Sequence, residues 1–264
     1  MAKLCPLFSG SSGNSYYIEA SGSGILVDVG RSAKQIENAM RANELDIKRV
    51  QAIFITHEHS DHIQGVRVLA SRYHIPVYSS QGTLEGMEEA GALSEKFSAD
   101  VIGWEGMEIA GMRVVPFRTP HDSRESVGFC IHTSDGRKIA IATDLGYFSE
   151  TVFEAVCGCD VAVIESNHDV RMLQNGFYPY YLKRRILSKR GHLSNEACAG
   201  ELPAFAQSGT TRFVLAHLSQ ENNIPELAYQ TALCSLQSCG MKQGLDFELM
   251  VAPRENVGGH TILF

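Results

Sequence analysis

The sequence has no long apolar run, no Cys-x-x-Cys pair and a single tryptophan. Its longest apolar stretches, such as Ile25-Leu26-Val27 and Val161-Ala162-Val163-Ile164, have the length of strands. They fall far short of the roughly 18 to 20 residues that span a bilayer, so no membrane helix is expected. The 7 cysteines, at 5, 130, 157, 159, 198, 234 and 239, are odd in number and scattered. That is not a disulfide framework. Cys157-Gly158-Cys159 leads into an apolar strand and reads as small core filler. Positive charge is also short: 23 Lys and Arg against 30 Asp and Glu leave −7. This excludes a protein that coats nucleic acid with its whole surface, so any such contact must be local. The amino-terminal stretch Met1 to Gly10 enters a Gly/Ser loop without the apolar core and cleavage site of a secretory signal, and a cytoplasmic protein is expected. With 264 residues, 44% of them hydrophobic, the chain is long enough for one sizeable core, and a single domain over 1–264 is expected. No feature specifies an oligomeric state.

What the chain does have is Gln51-Ala52-Ile53-Phe54-Ile55-Thr56-His57-Glu58-His59-Ser60-Asp61-His62. An apolar strand delivers three imidazoles and a carboxylate within a few residues, on the loop where the strand ends. A turning backbone there points His57 and His59 to one place, and Asp61 and His62 to another. Imidazole nitrogens and carboxylate oxygens suit Zn²⁺, and also Mn²⁺ or Fe, and two divalent ions are expected.

Other strand ends repeat the pattern. Asp28 closes an early buried strand and is expected to hydrogen-bond the neighbouring ligand loop. The loop Ser9-Gly10-Ser11-Ser12-Gly13-Asn14-Ser15 is either a hairpin turn or a phosphate cradle, with Ser12 and Asn14 as its substrate-binding side chains. A helix over 32–45, a strand to Thr56, a helix after His62 and a strand near Val77 form a βαβ pattern, so that part of the sheet is expected to be parallel or mixed. The strand ending at Thr119-Pro120 offers His121 as a third imidazole for the first metal. Asp144 follows another strand, where a carboxylate can bridge two ions, one through each oxygen. Val161–Ile164 is a doubly buried strand that ends in Glu165-Ser166-Asn167-His168-Asp169. The strand 211–216 delivers His217, which completes the ligand set.

Between these, Arg171, Lys183, Arg184, Arg185, Lys189 and Arg190 occur with no acidic residue over 170–190, interleaved with Tyr178, Tyr180 and Tyr181. Cations with aromatics next to a metal centre suit phosphate contacts and base stacking along a single strand. The other reading of such a run is a solvated helix face.

In this order, His57, His59, Asp61, His62, His121, Asp144 and His217 resemble the sequence motifs of the metallo-β-lactamase superfamily. The resemblance implies an α/β fold, the four-layer αββα sandwich. It also implies His57, His59 and His121 on one ion, Asp61, His62 and His217 on the other, and Asp144 between them. Histidine at position 59 is the hydrolase pattern. The Ser9–Ser15 loop, Thr-Pro-His121-Asp122, Ala-Thr-Asp144-Leu-Gly, Glu165-Ser-Asn-His168-Asp169, Gly-His192-Leu-Ser-Asn and Ala-His217-Leu-Ser further resemble the bacterial YycJ/WalJ (VicX) group. That likeness implies a metal-dependent nuclease with 5′ to 3′ exonuclease activity and DNA as its partner. Glu165 and His192 resemble a pair that assists phosphodiester cleavage in ribonuclease Z, although the long inserted tRNA-binding arm of that enzyme is missing here. The expected catalytic residues are therefore Asp61, as proton acceptor, and His192 oriented by Glu165. His168, Arg171, Lys183, Arg184 and Arg185 are expected to meet substrate. A thioester or small-ester hydrolase of the glyoxalase II type, or a ribonuclease, is the alternative.

Overall fold

A computed structural model describes residues 2–264. The chain divides into two compact units. One takes the chain up to Pro116 together with Ser123–Arg137 and Pro253–Phe264, and the other takes Phe117–Asp122 and Lys138–Ala252.

The first unit opens with β1 (Lys3–Phe8), β2 (Ser15–Ala20) and β3 (Ser23–Val27), paired antiparallel in sequence order. Pairing then becomes parallel through β4 (Val50–Phe54), β5 (Val77–Ser79) and β6 (Ala99–Val101). Parallel neighbours need long crossovers, and helices supply them: α1 (Ala33–Ala42), α2 (Ser60–Ile63), α3 (Val66–Tyr73) and α4 (Gln81–Glu89). Ser32 starts α1 with a capping box, its hydroxyl accepting from Gln35 N while the Gln35 side chain turns back to it. Ile36 and Met40 from α1, Leu69 from α3 and Met87 from α4 bury against Leu7, Leu26, Ile53 and Val77 of the strands. Ile262–Leu263 adds a short edge strand on β1. Beyond β6 come β7 (Met107–Ile109) and β8 (Met112–Arg118), joined by a tight turn with positive φ at Ala110 and Gly111, and then β9 (Val127–Thr133).

In the second unit β10 (Lys138–Ala142), β11 (Val161–Glu165), β12 (Arg212–Ala216) and β13 (Glu248–Val251) run parallel in that order. Every residue of β11 is buried, which is why its sequence is apolar without alternation. The intervening helices are α5 (Glu150–Val156), α6 (Val170–Asn175), α7 (Tyr180–Ile186), α8 (Asn195–Gln207) and α9 (Pro225–Ser238). Ser149, Asp169 and Ser194 cap α5, α6 and α8 with their side chains. Among the described residues no helix is long and apolar enough to cross a membrane.

The parallel registers fix where chemistry collects. Val27 lies beside Phe54, so Asp28 and Thr56, just past each strand, come together. Ala142, Ile164 and Leu215 lie abreast in neighbouring strands, so Asp144, Glu165 and His217 emerge at one edge. Carboxyl ends of parallel strands are the usual binding edge of such sheets.

Candidate metal centre

In the first unit the ligand run leaves β4 and turns into α2, so Asp61 and His62 sit on a single helical turn and not on the open loop expected from the sequence. His57 and His62 are buried, while His59 and Asp61 are half-buried. Asp28 and Thr56 organise them. Asp28 is fully buried and accepts from Thr56 N (2.8 Å), Thr56 Oγ1 (2.9 Å) and His62 Nδ1 (2.8 Å). Burial raises the pKa of this carboxyl, and the adjacent His62 partly offsets the rise. Since the Thr56 hydroxyl donates to Asp28, it is left to accept from His57 Nδ1 at 3.1 Å. Both imidazoles are thereby set in the tautomer that leaves Nε2 with its lone pair, the state a metal requires. His57 Nε2 lies 3.1 Å from His59 Nδ1, a convergence of two ring nitrogens that suits a shared cation.

Asn14, expected to meet substrate, is fully buried and lies against two of the candidate ligands. Its amide nitrogen lies 3.1 Å from His62 Nε2 and 3.5 Å from Asp61 Oδ2, and its backbone N–H donates to Asp61 O at 2.8 Å. Gly30 makes that approach possible: a Cβ there would fall on the Asp61 carbonyl oxygen and lie 2.5 Å from Asn14 N. Ser12 is exposed and accepts from Arg31 Nη2 at 2.7 Å.

In the second unit the Nε2 atoms of His121 and His217 both stand 3.6 Å from Asp144 Oδ1. That is too long for a hydrogen bond. It is about the spacing of two donors that share a tetrahedral ion at roughly 2.0–2.2 Å. His121 Nδ1 donates to Gly191 O at 3.2 Å, which again leaves Nε2 as the ligand atom. Burial, partly offset by Asp144, lowers the His121 pKa to about 4, so its imidazole stays neutral. Asp144 (φ 60°) and His217 (φ 55°), like Asp28 (φ 62°), hold left-handed backbone conformations that cost non-glycine residues free energy. Asp28 and His217 directly follow strands, Asp144 lies one residue further on, and all three belong to the candidate centre, where such strain concentrates.

Glu165 joins two imidazoles. Its Oε1 accepts from His192 Nδ1 at 2.7 Å and from His217 Nδ1 at 3.0 Å, while Oε2 accepts from Leu145 N at 2.7 Å. Burial alone would raise this carboxyl, but His192 and then His217 outweigh it and hold it below the ordinary carboxylate range. Donor atoms of Asp144, Glu165, His192 and His217 all lie within 4.8 Å of one another, a grouping able to hold a metal ion. The sequence did not reveal that Glu165 serves His217 as well as His192.

The sequence also missed the amides behind these residues. Asn167 Nδ2 donates to His217 O at 2.8 Å, and Asn223 Nδ2 lies 2.9 Å from Ser166 O and 3.0 Å from Asn167 O. The signal was present as Ser166-Asn167 directly after β11 and Asn222-Asn223 in the loop beyond β12. His168 is buried, with its pKa lowered to about 4 by burial.

The basic stretch divides by task. Lys183 Nζ donates to Gln174 O and Gly176 O, both at 2.7 Å, and so ties down the turn between α6 and α7. Arg185 pairs with Asp122, and Arg190 donates to His121 O. Arg171, Arg184 and Lys189 are exposed, Arg184 lying 6.0 Å from the Tyr180 ring centroid. Phe177, Tyr180 and Tyr181 are exposed beside them.

Buried histidines and carboxylates at strand ends, on mixed sheets flanked by helices, define an α/β metallohydrolase. The chain belongs to the β-lactamase superfamily: the family model described as "Beta-lactamase superfamily domain" matches residues 24–218. It is 39% identical to Exodeoxyribonuclease YycJ of Bacillus anthracis over 246 residues, covering 92% of each chain. It is 38% identical to Exodeoxyribonuclease WalJ of Streptococcus pneumoniae over 250 residues, 94% of this chain and 93% of that one. The solved metallo-β-lactamase fold protein YhfI of Bacillus subtilis superposes with a TM-score of 0.70 at 13% identity, over 96% of this chain and 97% of that one. The fold is thus the αββα sandwich that the motif order implied, and the His/Asp clusters mark it as a site for divalent metal.

Proposed function

We propose that this protein is a dinuclear phosphodiesterase that removes nucleotides from DNA in the 5′ to 3′ direction. The observation that carries the proposal is the Glu165 carboxylate, whose Oε1 accepts from His217 on one side and from His192 on the other. His217 is one of the expected ligands, whereas His192 is surplus to them and remains for chemistry. Likeness to two exodeoxyribonucleases over nine-tenths of their length supports the substrate class.

In this proposal His57, His59 and His121 hold one ion, Asp61, His62 and His217 hold the second, and Asp144 serves both, with Zn²⁺ or Mn²⁺, or else Fe, as the metal. The family match runs through segments of both compact units, which supports a single functional domain over 1–264. When bound, the ions supply Lewis acidity toward the phosphoryl oxygens and a water acidified toward neutral pH. Asp61 accepts the proton of the attacking water. His192, with Nδ1 held by Glu165, donates a proton from Nε2 to the leaving oxygen. Asn14 keeps Asp61 and His62 in place. Arg171, Arg184 and Lys189 bind the phosphate backbone, and the exposed aromatics beside them stack bases. Free cysteines, 7 in all, support a reducing cytoplasmic location.

His192→Ala tests the separation of chemistry from ligation. The variant retains the wild-type metal content by elemental analysis and loses about 10²-fold or more in single-turnover hydrolysis. Loss of metal in His192→Ala, with retention in His217→Ala, would exchange the two roles.

A further inference from the structure

We infer that a cavity of the first unit, beside Asp61, is the subsite for the terminal nucleotide of the substrate strand, an assignment that rests on the nucleic-acid hydrolysis proposed above. The cavity measures 610 Å³, within the roughly 300–1,000 Å³ of pockets that enclose small-molecule ligands. It therefore suits a nucleotide and not a duplex. Ile63, Val68 and Ala92 give it an apolar wall for a base or sugar face.

Its polar side holds one cation, Arg67, together with the carboxylates of Glu58 and Asp61. Arg67 lines the cavity and donates from Nη1 to Gly91 O at 3.2 Å. Among the described residues it pairs with no carboxylate, so its charge is open to a phosphate. Ser12 lines it too, fastened to Arg31 Nη2 at 2.7 Å. Arg31 is itself fixed, 5.8 Å from the Phe8 ring centroid and pressed against Gly13, where a Cβ would overlap its side chain. The Nε of Arg31 has no hydrogen-bond partner among the described residues. The Arg67 guanidinium and the Ser12 hydroxyl, anchored by Arg31, are a phosphate-binding pair. Glu58, another lining residue, accepts from Arg124 N at 2.9 Å through Oε1, while its buried Oε2 has no partner among the described residues.

Titration of deoxyadenosine 5′-monophosphate into the metal-loaded protein by calorimetry tests the assignment. The wild type is expected to bind it and Arg67→Gln to weaken binding about tenfold or more, with most affinity restored in Arg67→Lys. Ala90→Trp, at an exposed lining position, fills the space and abolishes binding. Wild-type melting temperature and metal content in each variant exclude misfolding as the cause. No binding by the wild type, or wild-type affinity in both Arg67→Gln and Ala90→Trp, overturns the assignment. DNA hydrolysis by the same wild-type sample is read in parallel. Its absence would refute the nuclease while the titration still decides whether the cavity takes a nucleotide.

Discussion

His121 and His168 are buried and neutral, and each holds a pKa near 4 where a free imidazole has about 6.5. Between those values the unfolded chain binds protons that the folded metal-free chain refuses. Stability is therefore unaffected above about pH 6.5 and falls as pH drops from there toward 4. Each site contributes up to roughly 3 kcal/mol across that window. Urea titrations of chelator-treated protein at pH 7, 5.5 and 4.5 are expected to show this decline, with a shallower slope in His168→Asn. A stability that stays level down to pH 4.5 would show that neither imidazole is held neutral. At this scale the sequence was most informative about candidate ligands: strand-end position alone picked out His57, His121, Asp144 and His217, each of which falls in a cluster able to hold a metal ion. It was silent on what orients them. The Thr56 hydroxyl, the Asn14 amide and the second bond of Glu165 depend on tertiary neighbours far away in the chain.

Among the elements, α6 and α7 carry the substrate prediction. Lys183 is spent on two carbonyl oxygens and Arg185 on Asp122, so the cations free for a polymer are Arg171, Arg184 and Lys189. Replacing these three by Gln is expected to weaken binding of single-stranded DNA. The salt dependence of the binding constant should flatten by about 0.7 for each phosphate that is no longer neutralised. Lys183→Met should instead lower the melting temperature with little change in that slope. An unaltered salt slope in the triple variant would return the segment to a solvated surface. Most elements were legible because their patterns are strong, as in the apolar run of β11 and the helical stretch that holds α1. The short edge strands at Ala99–Val101 and Ile262–Leu263 were not, because so few residues carry no periodicity. The apolar residues after His62 suggested a continuous helix, but the chain breaks between α2 and α3. There Gly65 N donates to Val29 O at 2.9 Å, and a Cβ on Gly65 would strike the Arg31 carbonyl oxygen. That close approach is tertiary, and local pattern does not encode it.

For the whole molecule, the order of motifs along 264 residues pointed to the superfamily fold, and the family match and fold likeness agree. The interleaving of two compact units, in which 117–122 leaves the first and 123–137 returns to it, was not legible, since it depends on pairings between distant segments. The central claim is a metal-dependent exonuclease acting from the 5′ end of DNA. The most direct measurement follows the metal-reconstituted protein on single-stranded DNA and RNA of one sequence, each labelled at the 5′ or the 3′ end. Labelled mononucleotide is predicted from 5′-labelled DNA at the earliest times, and shortening 3′-labelled fragments should accompany it. Chelation and Asp144→Ala are both predicted to abolish the reaction. Early mononucleotide from the 3′ end would reverse the polarity, and a preference for RNA would make the enzyme a ribonuclease. Intact DNA and RNA, in a sample that contains its metals and cleaves a glutathione thioester, would contradict the claim outright.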